Sequence, residues 1–557
     1  MYALNMACLR LNEAYSRLNF VTTQRIIQGE THMKHFFVIT GPSACGKTTL
    51  LKRGRDKEFW KLATKYSTRD ERLGDDFDDI IHLSKDEIYE SETIDYRYIM
   101  NDNIYAFSSA DILQYLRDNE TEASNVAIVC SDLGIIRRLK NDPNLKDYLV
   151  VLFISTVPAT KQVTKAWLDR ESGIAYNSGD KVHPNFDKLN NLNTAMRAKI
   201  DTYYSDYSQG ECQSFEKFSD ELQSLYEEYV SLMPKSSSYK RRIRNIDKFY
   251  YKYVEEIGFF DYTILNFFDP AGDKLEDERM TCQVDNIIKY LDNGGTAPAK
   301  RQFGNNALFF ICAPKRAGKA ILFSNLNLMS RDKIEIVRKI ALREDKNNEE
   351  DLKLGKGDGF GLSETYWMFD SQNDREYEEL ERLKKGAGDE CNWDSNEQLT
   401  NCVQELLTKA NVRVNNMVQE KMGENFKPQN YSFTDWYWHF QGNYYAVDTA
   451  SIVNSNKHSI VISNIDQLEK AMEWAKEANK IFVPIFLVYV DFYNRSKEYH
   501  MSLYPDEPEK GIKMNERIFE TIDNYYANIG KFRHVILNNG IAEDVHDQIS
   551  NIINQYK

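Results

Sequence analysis

The sequence lacks the patterns that mark membrane-spanning, zinc-binding and strongly basic proteins. Its 557 residues contain no run of about 18 apolar residues, which is the length that a membrane-spanning helix needs. The eight cysteines form no C-x-x-C pair and the nine histidines form no ligand pair, so no zinc site is predicted. Free thiols suit a reducing, cytoplasmic environment. The formal net charge of −14 argues against bulk binding to nucleic acid, because neutralising phosphates needs a basic surface.

Two further segments bear on targeting and on nucleic-acid binding. The first 32 residues have neither a continuous apolar core nor a small-residue cleavage site, so no signal peptide is predicted. Met33 directly precedes the first predicted strand, and residues 1–32 are either an upstream extension or a docking helix. The basic run Lys240–Arg244 precedes several aromatic residues and could bind a polyphosphate or a single strand. A helix that packs on its aromatic residues and exposes its basic ones is the favoured interpretation.

What the sequence does contain is a phosphate-binding loop. Residues 41–48 read Gly-Pro-Ser-Ala-Cys-Gly-Lys-Thr, follow the apolar run Phe36–Ile39 and match the pattern G-x-x-x-x-G-K-[ST]. In such a loop, backbone N–H groups and the N-terminus of the following helix surround phosphate oxygens. We predict that Lys47 binds the β- and γ-phosphates of ATP and that the Thr48 hydroxyl binds Mg²⁺. The predicted nucleotide-phosphate site consists of Gly41, Ser43, Ala44, Cys45, Gly46, Lys47, Thr48 and Thr49.

A second loop has the same outline but lacks two of these residues. Residues 313–320 read Ala-Pro-Lys-Arg-Ala-Gly-Lys-Ala, and Lys319 lies 272 residues beyond Lys47. Ala313 replaces the first glycine, and Ala320 removes the hydroxyl that would hold magnesium. This loop either binds phosphate without metal-dependent transfer or is a structural remnant, and no catalysis is predicted for it.

The order of motifs around the first loop resembles the guanylate kinase family. Residues 67–75 (Ser-Thr-Arg-Asp-Glu-Arg-Leu-Gly-Asp) are similar to its T-T-R-x-x-R-x-G-E segment, and residues 103–108 are similar to its N-Y-Y-G-T turn. Residues 125–134 resemble its Walker-B-type strand, and Asp261–Asn266 is similar to its late D-Y-x-I-x-N strand. The resemblance covers most of residues 34–292.

Parts of this resemblance return in the second half of the chain. Residues 443–447 (Asn-Tyr-Tyr-Ala-Val) again resemble the N-Y-Y-G-T turn, and Val535–Asn538 follows Thr263–Asn266 at an interval of 272 residues. Equal spacing at both ends predicts an internal duplication with separate insertions. We predict an α/β fold with two P-loop kinase-like domains, each a mostly parallel sheet flanked by helices, with helical insertions. The predicted division is an N-terminal extension (1–32), a domain with the intact loop (33–293), a linker (294–304) and a domain with the degenerate loop (305–557).

The resemblance implies a site for a phosphorylated acceptor. The two arginines of the family's T-T-R-x-x-R hold the acceptor phosphate, which implies this role for Arg69 and Arg72, although a solvated charge cluster is the alternative. Asp75 stands where the family has a glutamate that bonds to guanine, and Tyr105 can donate to a phosphate. Ala106–Phe107 replaces the family's Gly-Thr, which leaves the base of the acceptor open. The predicted acceptor-binding residues are Ser67, Arg69, Arg72, Asp75 and Tyr105.

Further side chains are predicted to act in phosphoryl transfer. Asp132, at the end of the Walker-B-type strand, is predicted to order the water shell of Mg²⁺, and Ser131 is the alternative; either residue could instead cap the following helix. Arg170 and Arg197 are predicted lid arginines that stabilise charge developing on the transferred group, unless they are exposed helix charges. Together with Lys47, these arginines are the predicted catalytic groups.

Two local patterns predict secondary structure directly. Phe215–Leu232 is predicted to be helical and lies within residues 173–255, which are assigned to the lid region and its insertion. Pro484 interrupts the apolar run at residues 481–490. Since proline cannot donate a hydrogen bond to a neighbouring strand, we predict that this strand has its proline near its start or lies at the edge of its sheet.

The leading functional hypothesis is an ATP- and Mg²⁺-dependent kinase that transfers the γ-phosphoryl group to a phosphate-bearing small molecule. A GMP-like nucleoside monophosphate is the first choice of acceptor. One alternative is a regulatory or defence-type NTPase, in which hydrolysis drives a conformational change. Another is a non-catalytic module that binds a phosphorylated ligand, and the damaged second loop fits that description better than the first.

Overall fold

The structure is a computed structural model, and it confirms the predicted α/β class. The residues that it describes are 34–42, 45–69, 80–100, 103–117, 125–157, 186–209, 215–232, 248–249, 251–256, 258–267, 275–297, 304, 306–314, 317–329, 333–342, 365–367, 375–387, 396–422, 431–440, 443–489, 508–538 and 540–556. None of the helices in these ranges combines the length and the apolar character required of a membrane span.

Strands and helices alternate through the first half of the chain. The strands are β1 (Phe36–Thr40), β2 (Lys61–Leu62), β3 (Lys65–Ser67), β4 (Ile80–His82), β5 (Tyr96–Met100), β6 (Asn103–Phe107), β7 (Val126–Val129), β8 (Leu149–Val157) and β9 (Tyr262–Phe267). The helices are α1 (Lys47–Asp56), α2 (Lys85–Glu90), α3 (Ser109–Arg117), α4 (Leu133–Asn141), α5 (Phe186–Gln209), α6 (Phe215–Leu232) and α7 (Leu275–Asp292). The helix predicted at Phe215–Leu232 is confirmed as α6.

The second half repeats this alternation. Its strands are β10 (Ala307–Cys312), β11 (Ile334–Ile336), β12 (Lys339–Leu342), β13 (Thr365–Trp367), β14 (Tyr437–Phe440), β15 (Asn443–Val447), β16 (His458–Ser463), β17 (Ile481–Tyr489) and β18 (His534–Asn538). Its helices are α8 (Lys319–Leu328), α9 (Arg375–Ala387), α10 (Glu397–Met422), α11 (Thr449–Asn454), α12 (Leu468–Glu477), α13 (Pro508–Asn528) and α14 (Ala542–Asn554).

Each half has a large sheet and a small sheet, and the strand orders of the two halves correspond. The large sheets have the orders β2-β7-β1-β8-β9 and β11-β16-β10-β17-β18, and their registered pairs are parallel. The small sheets have the orders β4-β3-β6-β5 and β13-β12-β15-β14. The central strands β1 and β10 are buried along their whole length, as expected for parallel strands covered on both faces.

The helices of the second half cover both of its sheets. One core joins the large sheet to α8 and α14 through residues such as Phe309, Leu322 and Ile549. A second core packs α9 and α10 against the small sheet through Leu380, Leu406 and apolar residues of β12 and β15. The helices α9 and α10 therefore form part of a hydrophobic core of the second half.

One of the two alternatives for Pro484 is wrong, since its strand is internal and not at an edge, while the proline is the fourth of nine strand residues. It lies in β17, which runs between β10 and β18, and it pairs with Phe310 of β10. The carbonyl group of Pro484 accepts from the backbone N–H of Arg533, so the missing N–H group faces the β18 side. Registered pairing with β18 begins only at the next residue, Ile485. The proline therefore lies where that ladder has not yet begun.

The chain divides into two compact units. One unit takes its residues from Met1–Thr40, Thr48–Leu152 and Val284–Ala297, and it contains the small sheet of the first half. The other takes its residues from Gly41–Lys47, Phe153–Gln283 and Pro298–Lys557. The strands β9 and β18 belong to this second unit, and they contact each other within it.

Asp448 gives the fold a predicted pH dependence. It follows β15, and its carboxylate accepts from the backbone N–H of Ser432 and the hydroxyl of Ser451. Burial nevertheless raises its pKa from 3.8 to about 6. Between these two values the folded state binds more protons than the unfolded state, so the free energy of unfolding falls as the pH rises through this window.

We expect Asp448→Asn to remove this contribution, since an amide does not titrate there. The unfolding free energy of the variant minus that of wild type should rise by roughly 2–3 kcal/mol from pH 4 to pH 7, because each unit of pKa shift corresponds to about 1.4 kcal/mol. Urea denaturation at a series of pH values measures this difference. Asp86→Asn, at an exposed carboxylate, is the control. Parallel pH curves for wild type and Asp448→Asn would contradict the prediction.

Candidate functional site

The first loop (residues 41–48) holds the ammonium group of Lys47 on its own backbone. The loop follows the buried strand β1 and ends in the first turn of α1. Lys47 Nζ donates to the carbonyl oxygens of Gly41 (3.0 Å) and Pro42 (2.5 Å). Phosphate oxygens carry more negative charge than carbonyl oxygens and form stronger hydrogen bonds with an ammonium group. A phosphate entering the loop would therefore compete for this cation.

Two glycines give the first loop a conformation that other residues rarely adopt. Gly41 has a φ of 144° and Gly46 a φ of 97°. A Cβ atom at Gly41 would lie 2.7 Å from the carbonyl oxygen of Ile154, and one at Gly46 would lie 2.9 Å from Nδ2 of Asn266. That Asn266 amide donates to the carbonyl oxygen of Cys45 at 3.0 Å. The last part of β9 therefore fixes the backbone of the loop.

Cys45 is an inert part of this loop rather than a reactive thiol. Its side chain is fully buried, and burial raises its pKa even though Lys47 lies close by and opposes the shift. The thiolate is the reactive form of cysteine, and the buried thiol stays protonated near neutral pH.

The second loop (residues 313–320) keeps the same set of contacts. Lys319 Nζ donates to the carbonyl oxygens of Ala313 (3.0 Å) and Pro314 (3.2 Å). Asn538, at the end of β18, donates through Nδ2 to the carbonyl oxygen of Ala317 at 2.8 Å. Each of these residues lies 272 positions beyond its counterpart in the first half. The 272-residue interval in the sequence therefore corresponds to a repeated hydrogen-bond pattern.

The two loops differ where the sequences differ. Among the described residues, the non-glycine positions with positive φ are Glu58 and Asn479, so Ala313 does not adopt the conformation of Gly41. Ala320 also has no hydroxyl group in the first turn of α8, where α1 has Thr48. The second loop thus retains its lysine but lacks a magnesium ligand at this position.

A row of polar side chains crosses the small sheet of the first half. Ser67 pairs with His82 on one side and with Tyr105 on the other, and Tyr105 pairs with Tyr98. Directly paired residues point to the same face of a sheet, so these four side chains share a face. Lys65, two residues before Ser67, lies on that face with Nζ 4.8 Å from the centre of the Tyr105 ring. The structure therefore brings together the predicted residues Ser67 and Tyr105.

The backbone around Arg69 is fixed by its neighbours. The N–H group of Arg69 donates to Oγ of Ser67 at 3.2 Å, and Nδ1 of His82 donates to the carbonyl oxygen of Arg69 at 2.8 Å. Thr68 exchanges hydrogen bonds with the backbone of Ile104 on β6. The start of the arginine side chain is thus anchored to three strands, and the residue as a whole is half-buried.

The small sheet of the second half has lost most of this polar row. By register, Trp367, Ala341, Tyr445 and Trp438 occupy the positions of His82, Ser67, Tyr105 and Tyr98. Lys339 corresponds to Lys65, because each donates to the end of a neighbouring strand, at Ile462 and Val129 respectively. The loss of serine and histidine makes the second half less suited to a phosphorylated ligand at this sheet.

Asp132 serves as the N-cap of α4. Its Oδ1 atom accepts from the backbone N–H of Ile135 at 2.8 Å. A Cβ atom at Gly134 would lie 3.0 Å from the same oxygen, so the glycine leaves room for the carboxylate. Capping uses one carboxylate oxygen, and the role of Asp132 or Ser131 in ordering magnesium stays a prediction. In the part of the chain that the structure describes, no three His, Cys, Asp or Glu side chains gather as a metal site.

Several predicted site residues lie outside the described residues: Ser43, Ala44, Arg72, Asp75, Arg170 and the basic run Lys240–Arg244. Of the others, Thr48 and Thr49 lie in the first turn of α1, where Thr48 is exposed. Arg197 lies on α5 with an exposed side chain, so its role in a lid stays a prediction.

Sequence reasoning did not assign Asn266, Lys65, His82 and Tyr98 to the site. For Asn266 a signal existed, because its motif recurs at Asn538 with the same 272-residue interval as the loops. For the other three residues the signal is the strand register, which one sequence does not reveal. Tyr98 is buried beside Cys130, and burial raises the pKa of both, that of Cys130 to about 11.

No protein-family model matches the chain, and no curated protein matches it. Among solved structures, it is similar to guanylate kinase from Anaplasma phagocytophilum, with 18% identity, a TM-score of 0.18 and coverage of 23% of this chain and 62% of that chain. This chain thus spans about six-tenths of that protein's length. At such a low TM-score, the candidate function depends on the geometry of the site.

Proposed function

We propose that the chain is an ATP-dependent P-loop kinase that transfers the γ-phosphoryl group to a phosphate-bearing acceptor, with a GMP-like nucleoside monophosphate as the first candidate. In this proposal the chain consists of two tandem guanylate kinase-like domains, with boundaries near residues 33–293 and 305–557. The first domain carries the chemistry, and the second is degenerate.

The observation that carries the proposal is the first loop. Lys47 is held by two loop carbonyl oxygens, Gly46 has a positive φ, and the loop opens into a ten-residue helix. Helix N-terminal N–H groups and a lysine ammonium group are the parts from which phosphate sites are built. On ATP binding, Lys47 would exchange the carbonyl oxygens of Gly41 and Pro42 for phosphate oxygens.

The residues present also fit a magnesium ion bound together with ATP. Mg²⁺ commonly keeps several waters and binds through one or two protein groups plus substrate phosphates. Here the Thr48 hydroxyl would be the direct ligand, and the second oxygen of the Asp132 carboxylate would bond to a metal-bound water. The ion supplies charge neutralisation on the phosphates during transfer.

The acceptor would bind at the polar row of the small sheet. Arg69 supplies a planar, permanently charged group that matches phosphate oxygens, and the fixed backbone at residues 67–69 limits the entropy lost on binding. Tyr105 and Lys65 lie on the same face and provide a hydroxyl donor and a second positive charge.

A phosphoryl-transfer panel tests the proposal. The full chain is incubated with Mg²⁺, ATP and a series of nucleoside monophosphates and sugar phosphates, and the products are identified by mass spectrometry. A phosphorylated acceptor formed by wild type but not by Lys47→Ala supports the kinase. ADP formed without any phosphorylated acceptor would instead support an NTPase. If no ADP forms with any acceptor in the panel, both the kinase and the NTPase hypotheses are contradicted.

Once an acceptor is known, Arg69→Ala should raise its KM by roughly 10- to 100-fold, as expected for losing hydrogen bonds to a charged group. The KM for ATP should stay near the wild-type value, because Arg69 is assigned to the acceptor alone. Steady-state kinetics with each substrate varied in turn measures both constants. The control is Arg117→Ala, at an exposed arginine that ends α3. Equal changes in both KM values would contradict the assignment.

A further inference from the structure

The two halves meet through a pair of reciprocal tyrosine contacts. The hydroxyl group of Tyr253 donates to the carbonyl oxygen of Val535 at 2.6 Å, and that of Tyr525 donates to the carbonyl oxygen of Thr263 at 3.4 Å. Tyr525 lies 272 residues beyond Tyr253, and Val535 lies 272 residues beyond Thr263. Each half thus offers the same donor and the same acceptor to the other, which is the pattern of a two-fold symmetric dimer interface within one chain.

The packing around the tyrosines is repeated as well. In the first half, the ring of Tyr253 lies 5.1 Å from that of Phe153, which also stacks with Phe260. In the second half, the ring of Tyr525 lies 4.0 Å from that of Phe486 and close to that of Phe532. All six aromatic side chains are buried. The interface is therefore built from the interior of each half and not from a few surface contacts.

These contacts act on the last strands of the two large sheets. Among the described strands, β9 and β18 each end the order of their sheet. On the outer side of β9, the Gln283 side chain bonds to both the N–H and the carbonyl oxygen of Leu265, at 2.9 Å each. Thr263, two residues earlier, presents its carbonyl oxygen to the same side and receives the Tyr525 hydroxyl group.

The same strand fixes the first loop. Asn266 is three residues beyond Thr263 on β9, a distance of about 10 Å along an extended strand. Its amide group donates to the carbonyl oxygen of Cys45 and lies against Gly46. A continuous path therefore runs from Tyr525 in the second half, through β9, to the backbone of the first loop.

We propose that the second half acts as a built-in subunit that positions the first loop, with Tyr525 and Tyr253 as positioning residues that act through β9 and Asn266. This inference rests on the proposed function, because the loop that is positioned is the one assigned to ATP. Neither tyrosine touches the substrate in this proposal. The degenerate second domain is thus retained for the geometry that it imposes on the first.

The accessibility of Cys45 tests the positioning directly. Its side chain is fully buried in the loop, and Cys130, which is also fully buried, reports on the other unit of the same molecule. Native full-length protein is treated with N-ethylmaleimide, and the modification rate of each cysteine is measured by peptide mass spectrometry. Loss of one hydrogen bond corresponds to about a fivefold change in an opening equilibrium.

Tyr525→Phe should raise the modification rate of Cys45 by about fivefold, with little change at Cys130. Asn266→Ala, which removes the last contact of the path, should raise the rate at Cys45 at least as much. Tyr96→Phe is the matched control, because it removes a tyrosine hydroxyl group that donates to Asp142 at 2.6 Å within the other unit. This control should leave the Cys45 rate unchanged. If Tyr525→Phe does not fold, Tyr253→Phe replaces it with the same expectations.

ATP binding supplies the second readout. Tyr525→Phe should raise the KM for ATP by a similar factor and leave kcat near the wild-type value, since the loop is looser but its groups are intact. Equal acceleration at Cys45 and Cys130, or no acceleration at Cys45, would overturn the inference. If wild type binds no ATP, the proposed function fails, and the ratio of the two cysteine rates still decides whether the second half positions the loop.

Discussion

Lys47→Ala should lower phosphoryl transfer by about 10²- to 10³-fold, the loss found when one preorganised donor to a developing charge is removed. The physical reason is that the Lys47 ammonium group is the cation held inside the first loop, where it donates to Gly41 and Pro42. The fold should be retained, because both carbonyl oxygens can bond to water once the side chain is truncated. Steady-state kinetics and Mg²⁺–ATP calorimetry measure the loss, and thermal unfolding checks the fold.

The chain provides its own control in Lys319→Ala. Lys319 makes the same two hydrogen bonds to its loop, so this variant removes the same chemical group from the same backbone setting. Because the second loop has Ala320 in place of a magnesium ligand, we expect phosphoryl transfer to stay near the wild-type rate. A loss of activity in Lys319→Ala as large as in Lys47→Ala would show that the two loops are not functionally different.

Gly41→Ala should also remove most nucleotide binding, through the shape of the loop instead of its charge. A side chain at a φ of 144° is strained, and its Cβ atom would lie 2.7 Å from the carbonyl oxygen of Ile154. Strain of this kind costs about 1–3 kcal/mol, and the backbone has to shift to relieve the contact. Thermal unfolding should report the lower stability, and ATP titration should report the lost affinity.

The reverse substitution, Ala313→Gly, is the matched control. Ala313 occupies the equivalent position but does not have a positive φ, so its Cβ atom causes no such strain. Exchanging it for glycine should lower the free energy of unfolding by at most about 1 kcal/mol, because glycine increases the entropy of the unfolded chain. Similar losses of stability in both variants would contradict the argument that Gly41 is required for its backbone conformation.

The sequence predicts the parts of the site that are contiguous along the chain. The first loop, the strand before it and the helix after it follow from one motif, and the 272-residue interval correctly pairs Lys47 with Lys319 and Asn266 with Asn538. The 272-residue interval does not hold for the small sheets, where Tyr105 corresponds to Tyr445, because the insertions lie at different places in the two halves.

Contacts between distant segments could not be predicted from the sequence, and the reason is physical. The row of His82, Ser67, Tyr105 and Tyr98 depends on strand register, which is decided by how four strands pack together and not by any local pattern. Pro484 shows the same limitation. Whether a proline fits inside a sheet depends on which side its missing N–H group faces, and that is fixed only when β18 begins at the following pair.

The edge position of β9 has a consequence for synthesis of the protein. Ribosomes add about 5–20 residues per second, so β18, which lies 272 residues later, emerges roughly 15–55 seconds after β9. During that time β9 has an uncovered edge, and uncovered edges pair readily with strands of other chains. Gln283, encoded only 18 residues after Leu265, occupies the backbone groups of that edge with its side chain. We expect this side chain to keep the backbone groups of Leu265 from pairing with other strands until the second half of the chain has been made.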